Sequence, residues 1–287
     1  MKITDIFKTQ SRTYSFEFFP PKDEISAVDF GINVGQLLKL NPSFVSVTYG
    51  AGGSNQERTF ALVDLLQNKI GLNTMAHYTC VNASKAKVEA DLTYLKGLGI
   101  DNLMLLRGDP PKGEGEFKAH PEGFRYASEL IAFAKSRFDI SVGGGSYIEK
   151  HPEASSLEQD MLNLKHKVEA GADFLITQLF FNNTLYLKFV KLACNMGIQC
   201  RIIPGIIPIT SYNQIKRFTQ MSGAAIPEAL IEKMNEYKDD PDKTYQIGMD
   251  FAIQQCRDLL LMGAPGLHFY TLNKSRATIE IFETLMR

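Results

Sequence analysis

Residues 155–178 read SSLEQDMLNLKHKVEAGADFLITQ and carry a helix signal followed at once by a strand signal. Ser155 and Glu158 have the spacing of a capping box, and Gly171 is typical of a helix end. Between them apolar residues recur at i, i+4, i+7 and i+11, which predicts a helix with one buried face over about 156–170. The run 174–178 is short and begins with three consecutive apolar residues rather than an alternating pattern, as expected of a strand that is covered on both faces.

The same alternation of strand and helix signals extends along the whole chain. The predicted strands cover residues 13–19, 44–47, 73–77, 102–106, 140–143, 174–178, 201–204 and 267–270. Roughly eight alternations in 287 residues predict a single α/β domain, a (β/α)8 TIM barrel over residues 1–287. The alternative is an open doubly wound sheet. That fold favours G-x-G-x-x-G after its first strand, and the glycine-rich residues 50–53 do not have this spacing.

Composition excludes several classes of partner. The chain is 44% hydrophobic and 22% charged, with a formal net charge of −1 and no run of like charges. We therefore expect no nucleic-acid or membrane partner. No signal peptide or bilayer-spanning apolar run occurs, which favours a cytoplasmic protein. The four cysteines form no C-x-x-C pair, so we expect reduced thiols and no metal site.

Polar side chains collect where the predicted strands end. In a barrel, the carboxyl ends of the strands converge on one mouth, where barrel enzymes have their active sites. This convergence favours a functional site over chance. The residues are Glu17, Thr48, Tyr49, His77, Arg107, Asp109, Tyr147, His151, Gln178, Asn273 and Lys274.

Glu17 is the most informative of these residues because Phe16 and Phe18 flank it inside the first predicted strand. Burial of a carboxyl group raises its pKa, which would suit Glu17 to donate a proton near neutral pH. An equally good interpretation is a glutamate at a strand end that is paired with an arginine or lysine.

Two further groups of residues each have two interpretations. In one interpretation Arg107 and Asp109 form an ion pair in a turn. In the other, Arg107 contacts a phosphate and the carboxylate of Asp109 lies over a cofactor ring. The chemistry of the residues slightly favours the ion pair. Asp160, Asn163 and Lys167 are spaced i, i+3 and i+7 on the predicted helix. They form either a solvated face or a contact with the sugar and phosphates of a nucleotide.

Nine motifs in a fixed order carry a family resemblance that covers nearly the whole chain. They are SFEFFPPK (15–22), FVSVTYGAGG (44–53), AHYTC (76–80), LRGDPP (106–111), YASEL (126–130), HPEA (151–154), ITQLFF (176–181), IIPGIIPI (202–209) and HFYTLNK (268–274). With these motifs the chain resembles the methylenetetrahydrofolate reductase family, in its form without a C-terminal regulatory domain.

The resemblance implies an oxidoreductase of one-carbon metabolism and methionine biosynthesis. It implies ping-pong chemistry, in which NADH or NADPH reduces a tightly bound FAD and leaves, and 5,10-methylenetetrahydrofolate is then reduced to 5-methyltetrahydrofolate. It also implies a homo-oligomer. Glu17 would be the general acid and Asp109 would lie near flavin and pterin. Residues implied to bind substrate are Gln178, Gln214, Phe218 and Lys274. Residues implied to bind FAD are Thr48, Tyr49, Ala51, His77, Arg107, Gly108, Asp109, Ala127, Tyr147, His151, Ala154, Asp160, Asn163 and Lys167.

The chain departs from the family pattern at three places. Residues 142–151 contain two extra residues before Tyr147, His166 stands where some relatives have arginine, and Lys274 replaces another arginine. Three alternative functions remain open. They are a barrel flavoenzyme that oxidises a ring C–N bond, a non-catalytic folate- or flavin-binding barrel in a methyl-transfer complex, and a flavin-free reductase with direct hydride transfer.

Overall fold

The computed structural model describes residues 1–49, 56–110, 117–215, 217 and 223–286. Within these residues, nine strands pair in parallel and helices cover them. The strands are β1 (Thr13–Phe18), β2 (Phe44–Val47), β3 (Thr74–Thr79), β4 (Asn102–Leu106), β5 (Ser141–Ser146), β6 (Phe174–Thr177), β7 (Arg201–Ile203), β8 (Gly205–Ile206) and β9 (Gly266–Tyr270). The helices are α1 (Ile3–Thr9), α2 (Glu24–Leu37), α3 (Gln56–Asp64), α4 (Lys85–Gly97), α5 (Ala127–Arg137), α6 (Leu157–Glu169), α7 (Asn183–Asn195), α8 (Glu228–Glu236), α9 (Pro241–Leu261) and α10 (Arg276–Met286).

The sheet closes into a barrel through a strand that is interrupted at Pro204. The strand order is β7-β6-β5-β4-β3-β2-β1-β9-β8, and Pro204 alone separates β7 from β8. β7 pairs with β6 and β8 pairs with β9, so these two pieces act as one seventh strand. Proline has no N–H to donate, but its carbonyl oxygen accepts a hydrogen bond of 3.0 Å from His268 N. The predicted (β/α)8 barrel is confirmed, and every predicted strand overlaps an observed one.

β5 is longer than the sequence predicted, and its glycines explain the difference. It runs to Ser146 rather than ending at Gly143. A Cβ on Gly143 would lie 2.9 Å from the Phe174 ring, and a Cβ on Gly144 would lie 2.9 Å from Lys167 Cδ. Close approach of these side chains therefore requires glycine. The longer strand contains the extra residues of this chain and leaves Tyr147 directly at its end.

The helix from which the fold was predicted is α6. Of its predicted apolar face, Met161 and Leu164 are buried and Val168 is half-buried, whereas Leu157 is exposed. Its N-terminal detail differs from the prediction. Ser156 caps the helix by accepting a hydrogen bond from Gln159 N at 3.1 Å, so Ser155 and Glu158 do not form the predicted capping box. No helix in the described ranges has both the length and the apolar character needed to cross a bilayer.

The amino-terminal end of the barrel is filled by apolar side chains and closed by α1. Ile3 is fully buried against Phe44, Met75 and Phe174 from the strands. The Ile3 N–H donates a hydrogen bond of 2.7 Å to the side chain of Asn102, which fixes the start of α1. This half of the barrel is therefore packed, and Glu17 lies toward the opposite end.

We expect Ile3→Ala to lower the free energy of unfolding by about 2–5 kcal/mol, because it leaves a cavity under the barrel. The partly exposed Ile70 provides a matched control, and Ile70→Ala should change the unfolding free energy by less than about 0.5 kcal/mol. Urea denaturation of both variants measures this difference. Equal effects would contradict the assignment of α1 as a packed part of the barrel.

Candidate active site

Glu17 lies inside the barrel near its carboxyl end. Side chains alternate along β1, so Phe16 and Phe18 pack into the core between strands and helices while Glu17 takes the other face. Glu17 pairs in register with Ser46 of β2 on one side and Tyr270 of β9 on the other.

Two buried histidines contact the same oxygen of the Glu17 carboxylate. His77 Nε2 lies 3.4 Å and His268 Nε2 lies 3.6 Å from Glu17 Oε2. Among the described residues, neither Nε2 atom has a hydrogen-bond partner within normal distance. On the other side of its ring, His268 Nδ1 forms a hydrogen bond of 2.8 Å with Ser15 Oγ. We call Glu17, His77 and His268 the Glu–His cluster.

Burial and the contacts within the Glu–His cluster shift the pKa values of Glu17 and His77. Burial raises the pKa of Glu17, but the interactions with His268 and His77 lower it more, and the net pKa is below its ordinary value. The predicted rise in the pKa of Glu17 is therefore wrong, because the sequence did not reveal the two histidines beside it. Among the described residues, the ionisable partners of Glu17 are histidines rather than the arginine or lysine of the alternative interpretation. Burial lowers the pKa of His77 further than Glu17 raises it, so this imidazole is neutral at pH 7.

We expect the free energy of unfolding to decrease as the pH falls from about 8 to about 5. The pKa of His77 is lowered in the folded protein, so the unfolded chain binds its proton first below the ordinary value of 6.5. Stability contributed by the neutral buried imidazole is thus lost below that pH. His77→Gln removes this difference in proton binding between the folded and unfolded chains. The slope of the unfolding free energy against pH should therefore decrease by up to about 1.4 kcal/mol per pH unit.

Urea denaturation over this pH range measures the slope. His166→Gln is the control, because His166 is exposed on α6 and its loss should leave the slope unchanged. Equal slopes for wild type and His77→Gln would contradict the neutral state of His77.

Arg107 forms an ion pair at the end of β4 with a partner that the sequence did not indicate. Its terminal nitrogens lie 2.5 and 2.6 Å from the two carboxylate oxygens of Glu153. The guanidinium also lies 5.0 Å from the centre of the Phe117 ring. Asp109 is exposed, so the predicted Arg107–Asp109 turn pair is replaced by the pair with Glu153. Gly108 has a φ of 86°, a left-handed conformation that directs the chain into this turn.

Two residues of the predicted polar stripe on α6 reach toward the mouth, and the third does not. Asp160 accepts a hydrogen bond of 2.8 Å from His151 N, and Lys167 Nζ donates one of 2.5 Å to Gly145 O. Burial lowers the pKa of Lys167 to about 8. Asn163 is exposed, and its side chain accepts a hydrogen bond from Gln159.

Side chains at the ends of β5 and β6 are in contact. The Tyr147 and His151 rings are 4.6 Å apart, and the Tyr147 hydroxyl interacts with the side chain of Gln178. Gln178 N donates a hydrogen bond of 2.7 Å to Ser146 O, which holds the two strand ends together. Burial raises the pKa of Tyr147, so its hydroxyl stays protonated.

The remaining predicted FAD contacts lie on neighbouring loops. Thr48 N donates to Phe18 O at 2.9 Å, and the Tyr49 ring lies 5.2 Å from that of Tyr78. Ala127 is buried at the start of α5, and Ala154 is half-buried beside His151. Ala51 lies outside the described residues.

Two further predicted substrate-binding residues lie in the segments that follow β8 and β9, and a third lies outside the described residues. Gln214 Oε1 accepts hydrogen bonds from Thr210 N at 2.7 Å and Thr210 Oγ1 at 2.6 Å, so it orders its own turn. Lys274 is exposed after β9. Phe218 lies outside the described residues.

Sequence reasoning missed His268, Ser15 and Glu153 as members of the site. Each was inside a motif that the resemblance used, namely HFYTLNK, SFEFFPPK and HPEA. The alternation of side-chain direction along a strand could have identified Ser15, because Ser15 and Glu17 share a face of β1. His268 pairs in register with Ser15.

A closed parallel barrel with buried acid–base groups at its mouth and cations on the loops above has the arrangement of a (β/α)8-barrel enzyme. A family profile, methylenetetrahydrofolate reductase, matches residues 2–286. The chain is 36% identical to methylenetetrahydrofolate reductase (NADH) 1 of Arabidopsis thaliana, over 99% of this chain and 51% of the relative. It is 36% identical to 5,10-methylenetetrahydrofolate reductase of Escherichia coli K12, over 94% of this chain and 90% of that protein. The chain belongs to the methylenetetrahydrofolate reductase family.

The chain spans about half the length of the plant relatives that it matches. Solved structures agree on the fold. An uncharacterized protein from Clostridium thermocellum that binds two copies of 5-methyl-5,6,7,8-tetrahydrofolic acid aligns over 98% of this chain and 96% of its own, with a TM-score of 0.66 and 14% identity. Oxaloacetate acetylhydrolase in complex with 3,3-difluorooxalacetate aligns over 100% of this chain and 84% of its own, with a TM-score of 0.58 and 10% identity.

Proposed function

We propose that this chain reduces 5,10-methylenetetrahydrofolate to 5-methyltetrahydrofolate, with NADH or NADPH as the hydride source and FAD as the bound cofactor. The observation that carries the proposal is the buried carboxylate of Glu17, held between His77 and His268 at the barrel mouth of a chain in this family. A nicotinamide donor is supported by the names of plant relatives, which specify NADH.

The chemistry of the residues around the mouth suits an anionic dinucleotide. Lys167 is half-buried, and burial lowers the pKa of its ammonium group to about 8, which indicates that the protein neutralises this charge incompletely. A phosphate nearby would complete that neutralisation. Arg107 can offer guanidinium donors beyond the two that Glu153 engages. Residues proposed to hold FAD are Thr48, Tyr49, Ala51, His77, Arg107, Gly108, Asp109, Ala127, Tyr147, His151, Ala154, Asp160, Asn163 and Lys167. When bound, FAD would supply a hydride relay between the two substrates.

Glu17 is proposed to act as the general acid for the folate. Opening of the imidazolidine ring breaks its C–N10 bond, and a proton on N10 makes that nitrogen a better leaving group. The methylene carbon becomes an electrophilic iminium that accepts hydride to give the methyl group. Glu17 rests as a carboxylate, so it must be protonated before this step. That proton comes from solvent, and the imidazoles of His77 and His268 contact the carboxylate oxygen that receives it.

Other residues are proposed to position the substrates. Asp109, exposed on the turn after β4, would orient the pterin, and Gln178, which interacts with Tyr147, would contact either substrate in turn. Lys274, exposed after β9, would attract the carboxylates of the folate tail, and Gln214 would contact the folate. Phe218 would stack on the bound substrate.

We expect Glu17→Gln to reduce the rate of folate reduction by about 10²–10⁴-fold, because the amide cannot donate the proton. Flavin reduction by NADH should remain within a few-fold of wild type, since that half-reaction protonates no folate nitrogen. Anaerobic stopped-flow absorbance measures each half-reaction separately. The exposed Glu122 provides the control, and Glu122→Gln should change neither rate. Equal loss of both rates would show that Glu17 is structural and would contradict the general-acid role.

We expect Lys167→Met to weaken FAD binding by about 10–100-fold, the effect of losing one charged hydrogen-bond donor. Quenching of flavin fluorescence on titration of apoprotein measures the dissociation constant. Lys165→Met is the matched control, because Lys165 lies on the same helix and pairs with Glu169 at 3.8 Å. Unchanged affinity in Lys167→Met would remove this residue from the proposed cofactor site.

A further inference from the structure

The turn that follows β9, residues 271–274, is hydrogen-bonded to the end of β1. Thr271 Oγ1 donates a hydrogen bond of 2.7 Å to the backbone oxygen of Glu17. The Asn273 side chain accepts a hydrogen bond of 2.9 Å from Phe19 N and donates one of 2.8 Å to Phe19 O. Because the two ends of one amide meet the N–H and the C=O of one residue, only one orientation of this side chain satisfies both contacts. We call these contacts of Thr271 and Asn273 with Glu17 and Phe19 the β1 clamp.

The β1 clamp takes over from strand pairing where β1 ends. Phe18 is the last residue of β1, and its carbonyl oxygen accepts a hydrogen bond of 2.9 Å from Thr48 N. Phe19 lies beyond the strand, yet Asn273 satisfies both its N–H and its C=O. The clamp therefore fixes the backbone at Glu17 itself and again just after the strand.

The backbone of the turn has a conformation that such contacts must maintain. Leu272 and Asn273 have φ values of 51° and 59°, so both are left-handed. That conformation is unfavourable for leucine, whereas asparagine tolerates it. The turn is closed by Thr271, whose Oγ1 accepts a hydrogen bond of 3.2 Å from Asn273 N and whose carbonyl oxygen accepts one of 2.9 Å from Lys274 N. A left-handed leucine persists where the surrounding structure over-determines the backbone, and such positions cluster at functional sites.

Lys274 extends from this turn between two anchored neighbours. Asn273 before it is bound to Phe19, and Ser275 N after it donates a hydrogen bond of 2.8 Å to the side chain of Asn33 on α2. Lys274 itself is exposed. Because the backbone is held on both sides, the region that the ammonium group can reach is limited.

We propose that Thr271 and Asn273 are positioning residues, which hold Glu17 and Lys274 at a fixed separation so that a folate bound by its tail presents N10 to the carboxyl group. This inference rests on the proposed function, in which Lys274 attracts the tail carboxylates and Glu17 protonates N10. Rates depend steeply on such placement, since a displacement of about 1 Å can cost on the order of 10²-fold. Flavin reduction by NADH involves neither the folate tail nor N10, so it should not depend on the β1 clamp.

Two variants of Thr271 separate positioning from a merely structural role. Valine keeps the shape of the side chain but removes the hydroxyl that contacts Glu17 O, whereas serine keeps the hydroxyl. In anaerobic stopped flow, Thr271→Val should slow flavin reoxidation by 5,10-methylenetetrahydrofolate at least about tenfold and leave flavin reduction by NADH within about twofold of wild type. Thr271→Ser should restore the folate rate to within about threefold of wild type. Equal loss of both rates, no loss of either, or a serine variant as slow as the valine variant would overturn the inference.

A double-mutant cycle on the KM for the folate tests the link to Lys274. Asn273→Ala should raise that KM about tenfold in the wild-type background and less than about twofold in Lys274→Met, because a cation that has been removed cannot be misplaced. The control is Asn41→Ala, since Asn41 is exposed, has a φ of 50° and precedes β2 at the opposite end of the barrel. This control meets the same backbone conformation and should leave KM unchanged. An equal rise in KM in both backgrounds would overturn the inference.

Hydrogen exchange of the Phe19 amide tests the β1 clamp without turnover. Because Phe19 N donates to Asn273 Oδ1, Asn273→Ala should speed this exchange at least about tenfold, as measured by NMR. Equal exchange in both proteins would overturn the inference alone. A wild type that protects this amide but reduces no folate would contradict the proposed function, and the inference with it.

Discussion

A carboxylate buried inside a barrel is the constraint on which the rest of this site depends. Removing a charge from water costs several kcal/mol unless neighbouring groups compensate for the lost hydration. Here the compensation comes from two imidazoles that contact one oxygen of Glu17, and from Ser15, which orients one of them. β1, which supplies Glu17 and Ser15, pairs directly with β9, which supplies His268, and β2 alone separates β1 from β3, which supplies His77. Closure of the sheet therefore creates the acid–base site.

The division of the barrel interior into two halves follows from this constraint. Apolar side chains and α1 fill the amino-terminal half, which keeps water from reaching the Glu–His cluster from below. Above the cluster, the loops after β4, β5 and β6 carry Arg107, Tyr147 and Gln178. The glycines of β5 let Lys167 approach from α6, and its ammonium group donates a hydrogen bond to Gly145 O near the end of β5. Acid–base groups inside the barrel and cations around its mouth are the two features that the proposed hydride transfer with an anionic cofactor would use.

The sequence predicted the fold well because buried parallel strands have a strong signal. The predicted strands 44–47 and 102–106, which are largely apolar, matched β2 and β4 in both bounds. The prediction failed at β5, whose glycines have low strand propensity, and at the break in the seventh strand. The site was harder to predict, because Ser15 and His268 are 253 residues apart and meet only when the first and last strands pair. The pKa of Glu17 was predicted in the wrong direction for the same reason.

An absorbance spectrum of the purified protein, followed under anaerobic conditions by addition of NADH and then 5,10-methylenetetrahydrofolate, tests the proposed flavin relay. We expect a flavin spectrum that is bleached by NADH and restored by the folate, because both substrates would exchange hydride with one bound cofactor. A colourless protein that still consumes both substrates would contradict it, and would replace the flavin relay with direct hydride transfer between them.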